Sequence, residues 1–215
     1  MALAIEIWQR GLAPDAGIIG PTLFFDHHMA MGGTFQGNTE LTVANLLYAL
    51  VLANRPRTVV ETGVNNGSTS LWLALAAQHV QARYVGVDSD AESVKKVTQY
   101  FQDVALPGCL IHGDALAELP AIAQSMGGVI DFLFIDDDHT KEHVEAEIRN
   151  FVPLMAVGGL ICFHDILGIH RQDVWDTIAP LGAVPLAAVL QDEKRQFGGL
   201  GLLHVTPALK AQLSQ

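Results

Sequence analysis

The segment TVVETGVNNGS, residues 58–68, contains the first signal of the architecture of this chain. It opens with the apolar run Thr58–Glu61, passes through a turn that carries Gly63 and Gly67, and leads into the helical pattern of Ser70–Ala76. A short apolar run, a glycine turn and an apolar helix in this order are typical of the start of a β-α-β unit. The segment therefore predicts a strand that enters a helix through a tight loop.

The same order recurs along the chain, where short apolar runs alternate with longer stretches of helical period. Thr42–Ala53 predicts a further helix upstream of the first strand. Runs that are apolar throughout belong to strands covered on both faces, and alternation with helices implies right-handed crossovers between parallel strands. We expect an α/β fold, a doubly wound, Rossmann-like parallel sheet. Its later strands are predicted at Tyr84–Asp88, Cys109–His112, Ile130–Ile135 and Gly158–Phe163.

The C-terminal part departs from this alternation. Val184–Leu190 and Leu200–Val205 are strand-like runs joined by the polar segment Gln191–Phe197, with no helical pattern between them. They predict a C-terminal antiparallel hairpin added to the sheet.

Residues 1–40 are rich in Gly, Pro and aromatic residues without a clear period, so we expect an N-terminal cap segment over the site, with residues 41–215 forming the rest of a single domain.

Composition limits the classes of function. Of 215 residues, 50% are hydrophobic and 16% charged, and 12 Lys and Arg against 23 Asp and Glu give a formal net charge of −11. An acidic surface repels phosphate backbones, which disfavours a nucleic-acid substrate. The longest unbroken apolar stretch, Leu46–Ala53, is too short to cross a bilayer. Because the chain has only two cysteines and its N-terminus lacks the basic region of a signal peptide, we expect a cytoplasmic protein without disulfides.

Acidic residues stand at the carboxyl ends of the predicted strands. In an open parallel sheet, ligands bind outside these ends. One acid there is ordinary and can cap the following helix, whereas acids at five successive ends converge on one edge and repel one another. We therefore expect an electronegative binding site at this edge, which includes Glu61, Asp88, Asp114, Asp136 and Asp165.

The loop after the first strand permits close approach of the backbone to a ligand but is poorly suited to phosphate. The dinucleotide fingerprint G-x-G-x-x-G requires a middle glycine, whose place Asn65 takes here, and Ser68 takes the place of the last one. No lysine follows Gly67, so the loop also differs from a Walker A phosphate loop. The acid Glu61, just before Gly63, favours a cationic ligand over an anionic one.

Asp88 ends the second predicted strand. An acid at this point is placed to accept hydrogen bonds from both hydroxyls of a ribose. A ribose without phosphate, together with a positive charge near an acidic loop, indicates S-adenosylmethionine as the cofactor. A nicotinamide-dependent oxidoreductase on the same fold is an alternative, which Asn65 and Glu61 disfavour.

Five motifs carry a family resemblance, namely VVETGVNNGS, YVGVDSD, IHGDALAELP, IDFLFIDDDHTKEHVEAEI and MAVGGLICFHDI. Together they resemble the successive motifs of the class I S-adenosylmethionine-dependent methyltransferases over about residues 42–205. The resemblance implies that Asp88 binds the ribose, that Asp114 lies beside the adenine and that Asp136 lies near the sulfonium. The cofactor-binding residues that we expect are Glu61, Gly63, Asn65, Gly67, Ser68, Asp88, Ser89, Gly113, Asp114, Ala115 and Asp136.

Two shorter motifs, Asp136-x-x-His139 and His164-Asp165, narrow the resemblance. They resemble the site of small-molecule O-methyltransferases that use a divalent metal, such as catechol-type enzymes and some antibiotic-sugar methyltransferases. This implies that Asp136 and Asp165 hold Mg²⁺ or another divalent cation, with His164 as a third candidate ligand and His139 as the general base. Those enzymes usually have Asp or Glu in the place of His164, and imidazole disfavours Mg²⁺ or favours a softer ion. In the alternative interpretation, His164 and Asp165 only position the substrate hydroxyl.

The predicted function is transfer of a methyl group from S-adenosylmethionine to a hydroxyl of a small molecule, with Asp136 and His139 as catalytic residues. A metal would lower the pKa of the hydroxyl, and His139 would accept its proton. A non-catalytic adenosylmethionine-binding protein is the alternative from another class.

The apolar N-terminal helix offers a surface for a homodimer. Zinc held by His139 and His143 is disfavoured because no H-E-x-x-H motif is present, and His27-His28 in the cap is more typical of a surface turn.

Overall fold

The computed structural model describes residues 39–168, 172–187 and 197–213, in which helices and strands alternate. The strands are β1 (Thr58–Thr62), β2 (Arg83–Asp88), β3 (Cys109–His112), β4 (Ile130–Ile135), β5 (Met155–Gly168), β6 (Val184–Ala187) and β7 (Phe197–His204). The α-helices are α1 (Leu41–Asn54), α2 (Ser68–Val80), α3 (Ala91–Asp103), α4 (Ala115–Ser125), α5 (Lys141–Phe151), α6 (Gln172–Ile178) and α7 (Pro207–Leu213). Short 3-10 helices cover Val152–Leu154 and Ala179–Leu181.

These strands form one seven-stranded sheet in the order β3-β2-β1-β4-β5-β7-β6. The first five in this order are parallel, and β7 runs antiparallel to both β5 and β6. Val60 of β1 pairs with Val85 of β2 on one side and with Leu133 of β4 on the other. The predicted Rossmann-like fold with a C-terminal antiparallel hairpin is confirmed. The strand order reverses between β1 and β4, the point at which such sheets bind ligands.

Both faces of the sheet are covered, which explains why the strand sequences do not alternate between apolar and polar residues. In β4, Phe132 and Phe134 pack with Leu47 of α1 and Leu73 of α2. Leu133, between them, belongs to the opposite layer, which α4 and α5 help to form. All three β4 side chains are fully buried, so successive residues of one strand serve two separate cores.

Several predicted strand boundaries differ from the observed ones, most of all those of β5, β6 and β7. β5 extends beyond Gly158–Phe163 because its C-terminal half pairs with β7, with His164 opposite Leu200. β7 in turn begins at Phe197, the last residue of the predicted connection, and ends one residue before Val205. β6 covers the first half of Val184–Leu190, and residues 188–196 lie outside the described residues.

The N-terminal predictions fall largely outside the described residues. These exclude 1–38, and with them His27-His28 and nearly all of the predicted cap. The division into a cap and a domain therefore stays a prediction, as does the homodimer. Among the described helices, none combines the length and the hydropathy that a bilayer-spanning segment requires.

Glu61 on β1 and Tyr84 on β2 form a polar pair inside the apolar layers. Both are buried, and the Tyr84 hydroxyl donates a short hydrogen bond to Glu61 Oε2. Gly86 makes this pair fit, since a Cβ at that position would lie 2.8 Å from the Tyr84 hydroxyl. Burial raises the pKa of Glu61 to about 8, although hydrogen bonds from Tyr84 and Ser70 oppose the rise. At neutral pH this carboxyl is mostly protonated, so the negative charge expected there from the sequence is largely missing.

Glu61→Gln should remove a pH-dependent loss of stability. The folded carboxyl holds its proton up to about pH 8, whereas in the unfolded chain it loses the proton near pH 4.3. Between these values the folded state binds more protons, so wild-type stability falls as pH rises. We expect the free energy of unfolding of the variant minus that of wild type, both measured by urea denaturation, to increase with pH. The increase should be about 1.4 kcal/mol per pH unit between about pH 5 and 7.5. Exposed Glu92, changed to Gln, is the control. Parallel pH profiles of Glu61→Gln and wild type would contradict the assignment.

Candidate active site

A crevice of about 700 Å³ opens where the strand order reverses, outside the carboxyl ends of β1, β2, β3 and β4. It is formed by the loops that follow these strands and by the first turn of α5. Among the residues that the structure describes, no Lys or Arg lines it. The lining residues are Gly63, Asn65, Val87, Asp88, Ser89, Gly113, Asp114, Ala115, Asp136, Asp137, Asp138, His139 and His143.

The structure brings most of the predicted cofactor residues to this crevice. The exceptions are Glu61, Gly67 and Ser68. Glu61 lies fully buried beneath the crevice, against Tyr84. Gly67 precedes α2 with a φ of 81°, and a Cβ there would lie 2.7 Å from Val97 of α3, so this glycine permits helix packing. The remaining eight are Gly63, Asn65, Asp88, Ser89, Gly113, Asp114, Ala115 and Asp136, whose part in cofactor binding stays a prediction.

Gly63 lets the loop after β1 lie directly against the loop after β4. Its φ is 82°, and a Cβ would lie 2.1 Å from the carbonyl oxygen of Asp136. The amide of Asp136 donates to the carbonyl of Thr62 at 3.0 Å, which holds the two loops together. Any side chain at position 63 would separate them, so the glycine predicted for ligand approach is required first for the contact between these loops.

The Asp88 carboxylate is held in place by the backbone around it. Its Oδ2 accepts from the amide of Asn65 and its Oδ1 from the amide of Asp90, both at 2.7 Å. A carboxylate has about four lone-pair sites, so each oxygen retains one for a ligand that enters the crevice. Asp114 differs, because its Oδ1 accepts a hydrogen bond from the amide of Leu116 and so caps α4. Helix capping is the alternative role that the sequence allowed for acids at strand ends.

Asp136, His139, His164 and Asp165 meet at one end of the crevice and are called here the Asp136 cluster. His139 is 9% exposed, and its Nε2 lies 3.5 Å from Asp136 Oδ1 and 3.7 Å from Asp165 Oδ2. This nitrogen has no hydrogen bond of normal geometry. Asp165 adopts a left-handed backbone with a φ of 54°, a strained conformation for a residue other than glycine.

His164 is bound at both ring nitrogens by carboxylates. Its Nδ1 lies 2.9 Å from Asp136 Oδ1, and its Nε2 lies 2.6 Å from Glu40 Oε2. Because carboxylates only accept hydrogen bonds, both nitrogens carry hydrogen and the ring is an imidazolium. Burial lowers the pKa of His164, but Asp136, Glu40 and Asp165 outweigh burial and raise it well above its usual value. Burial likewise raises the pKa of Asp136, but His164 and His139 outweigh it and hold that pKa well below its usual range.

Glu40 is the site residue that sequence reasoning missed. Its side chain is 2% exposed, and its Oε1 accepts from the amide of Gly199 at 3.0 Å. Next to it, the Thr39 hydroxyl donates to Asp136 Oδ2 at 3.0 Å. In the sequence, Thr39-Glu40 precedes a helix in the way that ordinary capping residues do. No spacing or motif marks either residue as part of the site.

The Asp136 cluster does not fit a magnesium ion with His164 as a ligand. A ligating imidazole needs an unprotonated nitrogen. In His164, both ring nitrogens carry hydrogen and donate hydrogen bonds to the carboxylates of Asp136 and Glu40. The positive charge of this ring already lies between Asp136 and Glu40, where it partly neutralises them. The hydrogen bonding of His164 disfavours a metal ligand at this position, and the expectation that it ligates an ion stays a prediction.

Comparison with known proteins identifies the domain. Residues 60–166, about half of the chain, match the family model described as a methyltransferase domain. No curated protein matches the sequence.

Solved structures share the fold. Cofactor-bound Rv0187 from MTB aligns with a TM-score of 0.70 and 22% identity over 85% of this chain and 89% of that chain. An O-methyltransferase from Bacillus cereus in complex with SAH aligns with a TM-score of 0.69 and 19% identity over 92% of this chain and 98% of that chain. The O-methyltransferase TomG from Streptomyces achromogenes is involved in tomaymycin synthesis, and its structure is in complex with SAM. It aligns with a TM-score of 0.65 and 17% identity over 86% of this chain and 88% of that chain. The match to the family model shows that the chain contains a methyltransferase domain, and the solved structures share its fold.

Proposed function

We propose that the chain transfers the methyl group of S-adenosylmethionine to a hydroxyl of a small molecule and that His139 is the general base. The observation that carries this proposal is the position of His139 Nε2. It lines the crevice, is nearly buried, and faces Asp136 and Asp165 at 3.5 Å and 3.7 Å without a normal hydrogen bond. Two of the similar solved structures, from Bacillus cereus and Streptomyces achromogenes, are O-methyltransferases, which supports an oxygen acceptor.

The charge of the crevice supports adenosylmethionine rather than a nicotinamide dinucleotide. Within residues 39–168, 172–187 and 197–213, the lining residues include five aspartates and no Lys or Arg. A diphosphate would enter this site without a cationic partner, whereas a sulfonium would be attracted. Asp88, held by two backbone amides, is the acceptor for the ribose hydroxyls. Asp114 and Ala115 form the part of the crevice assigned to the adenine.

The Asp136 cluster supplies proton transfer and charge stabilisation. A neutral hydroxyl is a poor nucleophile, so its proton passes to His139 Nε2 as the oxygen attacks the methyl carbon and the carbon–sulfur bond breaks. The imidazolium formed on His139 lies within 4 Å of the carboxylates of Asp136 and Asp165, which stabilise it. His164 does not take this proton, because its two nitrogens are already protonated toward Asp136 and Glu40.

Asp88→Asn should weaken adenosylmethionine binding. The change removes the charge from two ribose hydrogen bonds, and hydrogen bonds to charged groups contribute about 1.5–3 kcal/mol each. We expect Kd, measured by isothermal titration calorimetry, to rise by roughly 10–100-fold for both adenosylmethionine and adenosylhomocysteine. Asp90→Asn is the matched control, because Asp90 caps α3 and Asn caps a helix equally well. Equal Kd values for Asp88→Asn and wild type would exclude the ribose contact.

His139→Ala should separate catalysis from binding. Loss of a general base lowers kcat by about 10²–10⁴-fold, while adenosylmethionine affinity should change less than about threefold because the ribose and adenine contacts remain. Adenosylhomocysteine release is measured against a panel of small hydroxyl compounds. The exposed His204, changed to Ala, serves as the control. Undiminished turnover in His139→Ala would refute the base, and no turnover by wild type with any acceptor would favour the non-catalytic adenosylmethionine-binding alternative.

Magnesium should have little effect on the reaction. Since the imidazolium of His164 lies between Glu40 and Asp136, it partly neutralises the Asp136 cluster and would repel a second cation there. We expect the methyl-transfer rate to change less than about twofold between no added Mg²⁺ and a millimolar concentration. A strict requirement for Mg²⁺ would show that the ion displaces His164 and that the metal-assisted mechanism suggested by the sequence is correct.

A further inference from the structure

A second cluster of acidic and imidazole side chains lies at the rim of the crevice and has no part in the proposed reaction. It consists of Asp137, His143 and Glu147, called here the α5 cluster. Asp137 follows β4, and His143 and Glu147 are four residues apart on α5, which places both on one face of that helix. Asp137 and His143 line the crevice.

The distances within the α5 cluster fit a tetrahedral ion. His143 Nε2 lies 3.5 Å from Asp137 Oδ2 and 3.8 Å from Glu147 Oε1, and one ligand atom from each residue lies within 4.8 Å of the others. Zinc bonds of about 2.0–2.2 Å set tetrahedral ligand atoms roughly 3.3–3.6 Å apart. Asp137 Oδ1 accepts from the amide of Asp138 at 2.8 Å, which orients Oδ2 toward His143.

Glu147 indicates that the cluster holds a cation. Its side chain is fully buried, and neither oxygen has a hydrogen bond of normal geometry. Its nearest charged neighbours are a second acid, Asp137, and His143. In the part of the chain that the structure describes, no Lys or Arg pairs with either carboxylate.

The contrast with the Asp136 cluster strengthens this argument. There, His164 forms normal hydrogen bonds of 2.9 Å and 2.6 Å to two carboxylates, which compensates their charge. In the α5 cluster, His143 approaches its acids only at 3.5 Å and 3.8 Å, and its Nε2 has no normal hydrogen bond. A buried carboxylate without a donor is unfavourable, and a divalent ion between the three ligand atoms would balance both acids.

We propose that Asp137, His143 and Glu147 bind a divalent transition-metal ion of the zinc class. One imidazole and two carboxylates are a ligand set that zinc accepts, with a fourth position left for water or a ligand in the crevice. The ion differs from the magnesium expected at Asp136. It ties the start of α5 to the loop after β4, which also carries Asp136 and His139, and so holds the reacting side of the crevice in place.

The test is zinc binding by the purified chain of 215 residues after treatment with a chelator. Isothermal titration calorimetry and equilibrium dialysis with metal analysis give affinity and stoichiometry, and Co²⁺ absorbance in the visible range reports a tetrahedral site. We expect one zinc ion to bind in the micromolar range or tighter, with a rise in Tm of roughly 5–10 °C at a zinc concentration about 100 times Kd. Wild type without such binding would overturn the proposal.

Variants locate the ion. Glu147→Gln keeps the shape of the buried side chain and should weaken zinc binding by on the order of 100-fold or more, since even outer residues of metal sites contribute about 10–100-fold. Glu145→Gln on the same helix, at a side chain 44% exposed, should leave it unchanged. His143→Asn, at a side chain 23% exposed, should weaken binding as Glu147→Gln does and tests the site if Glu147→Gln fails to fold.

One further variant separates the two clusters. Asp165→Asn removes a carboxylate of the Asp136 cluster and should leave zinc affinity unchanged. Zinc binding that is lost in Asp165→Asn but kept in Glu147→Gln would place the ion at the Asp136 cluster and refute the proposal. Because these measurements need neither adenosylmethionine nor an acceptor, their outcome is independent of the proposed methyl transfer.

Discussion

The active-site end of the crevice depends on one buried cation. Asp136, Asp165 and Glu40 converge there with little exposure to water, and three carboxylates in such a place would repel one another strongly. The imidazolium of His164 relieves this repulsion through hydrogen bonds of 2.9 Å and 2.6 Å to two of them. Asp136 therefore stays ionised despite its burial, and in the proposed reaction it would stabilise the positive charge that forms on His139.

The same interaction ties distant parts of the fold to the site. Glu40 lies just before α1, yet its carboxylate joins β5 through His164 and β7 through the amide of Gly199. Thr39, beside it, reaches Asp136 at the end of β4. The two histidines of the site thus have separate tasks. His164 holds a positive charge in the hydrogen-bonded network, and His139 is the group that would exchange a proton with the acceptor in the proposed reaction.

The fold could be predicted because its signals are local. Each apolar run is followed by its helix, and the topology of parallel strands then places Asp88, Asp136 and Asp165 at one edge of the sheet without knowledge of any contact. The partner of His164 could not be predicted, since Glu40 is 124 residues away and looks like an ordinary residue before a helix. The protonation of Glu61 was also beyond sequence reasoning, because it follows from burial beside Tyr84 on a neighbouring strand. The long β5 depends likewise on its pairing with β7.

The central claim is that this acidic crevice accepts a positively charged methyl donor through its ribose and that its described residues offer no partner for a diphosphate. Calorimetric titration of the wild-type chain with adenosylmethionine and, separately, with NADH tests it most directly. The account predicts micromolar or tighter binding of adenosylmethionine and no measurable binding of NADH. Binding of NADH, or of neither compound, would contradict it.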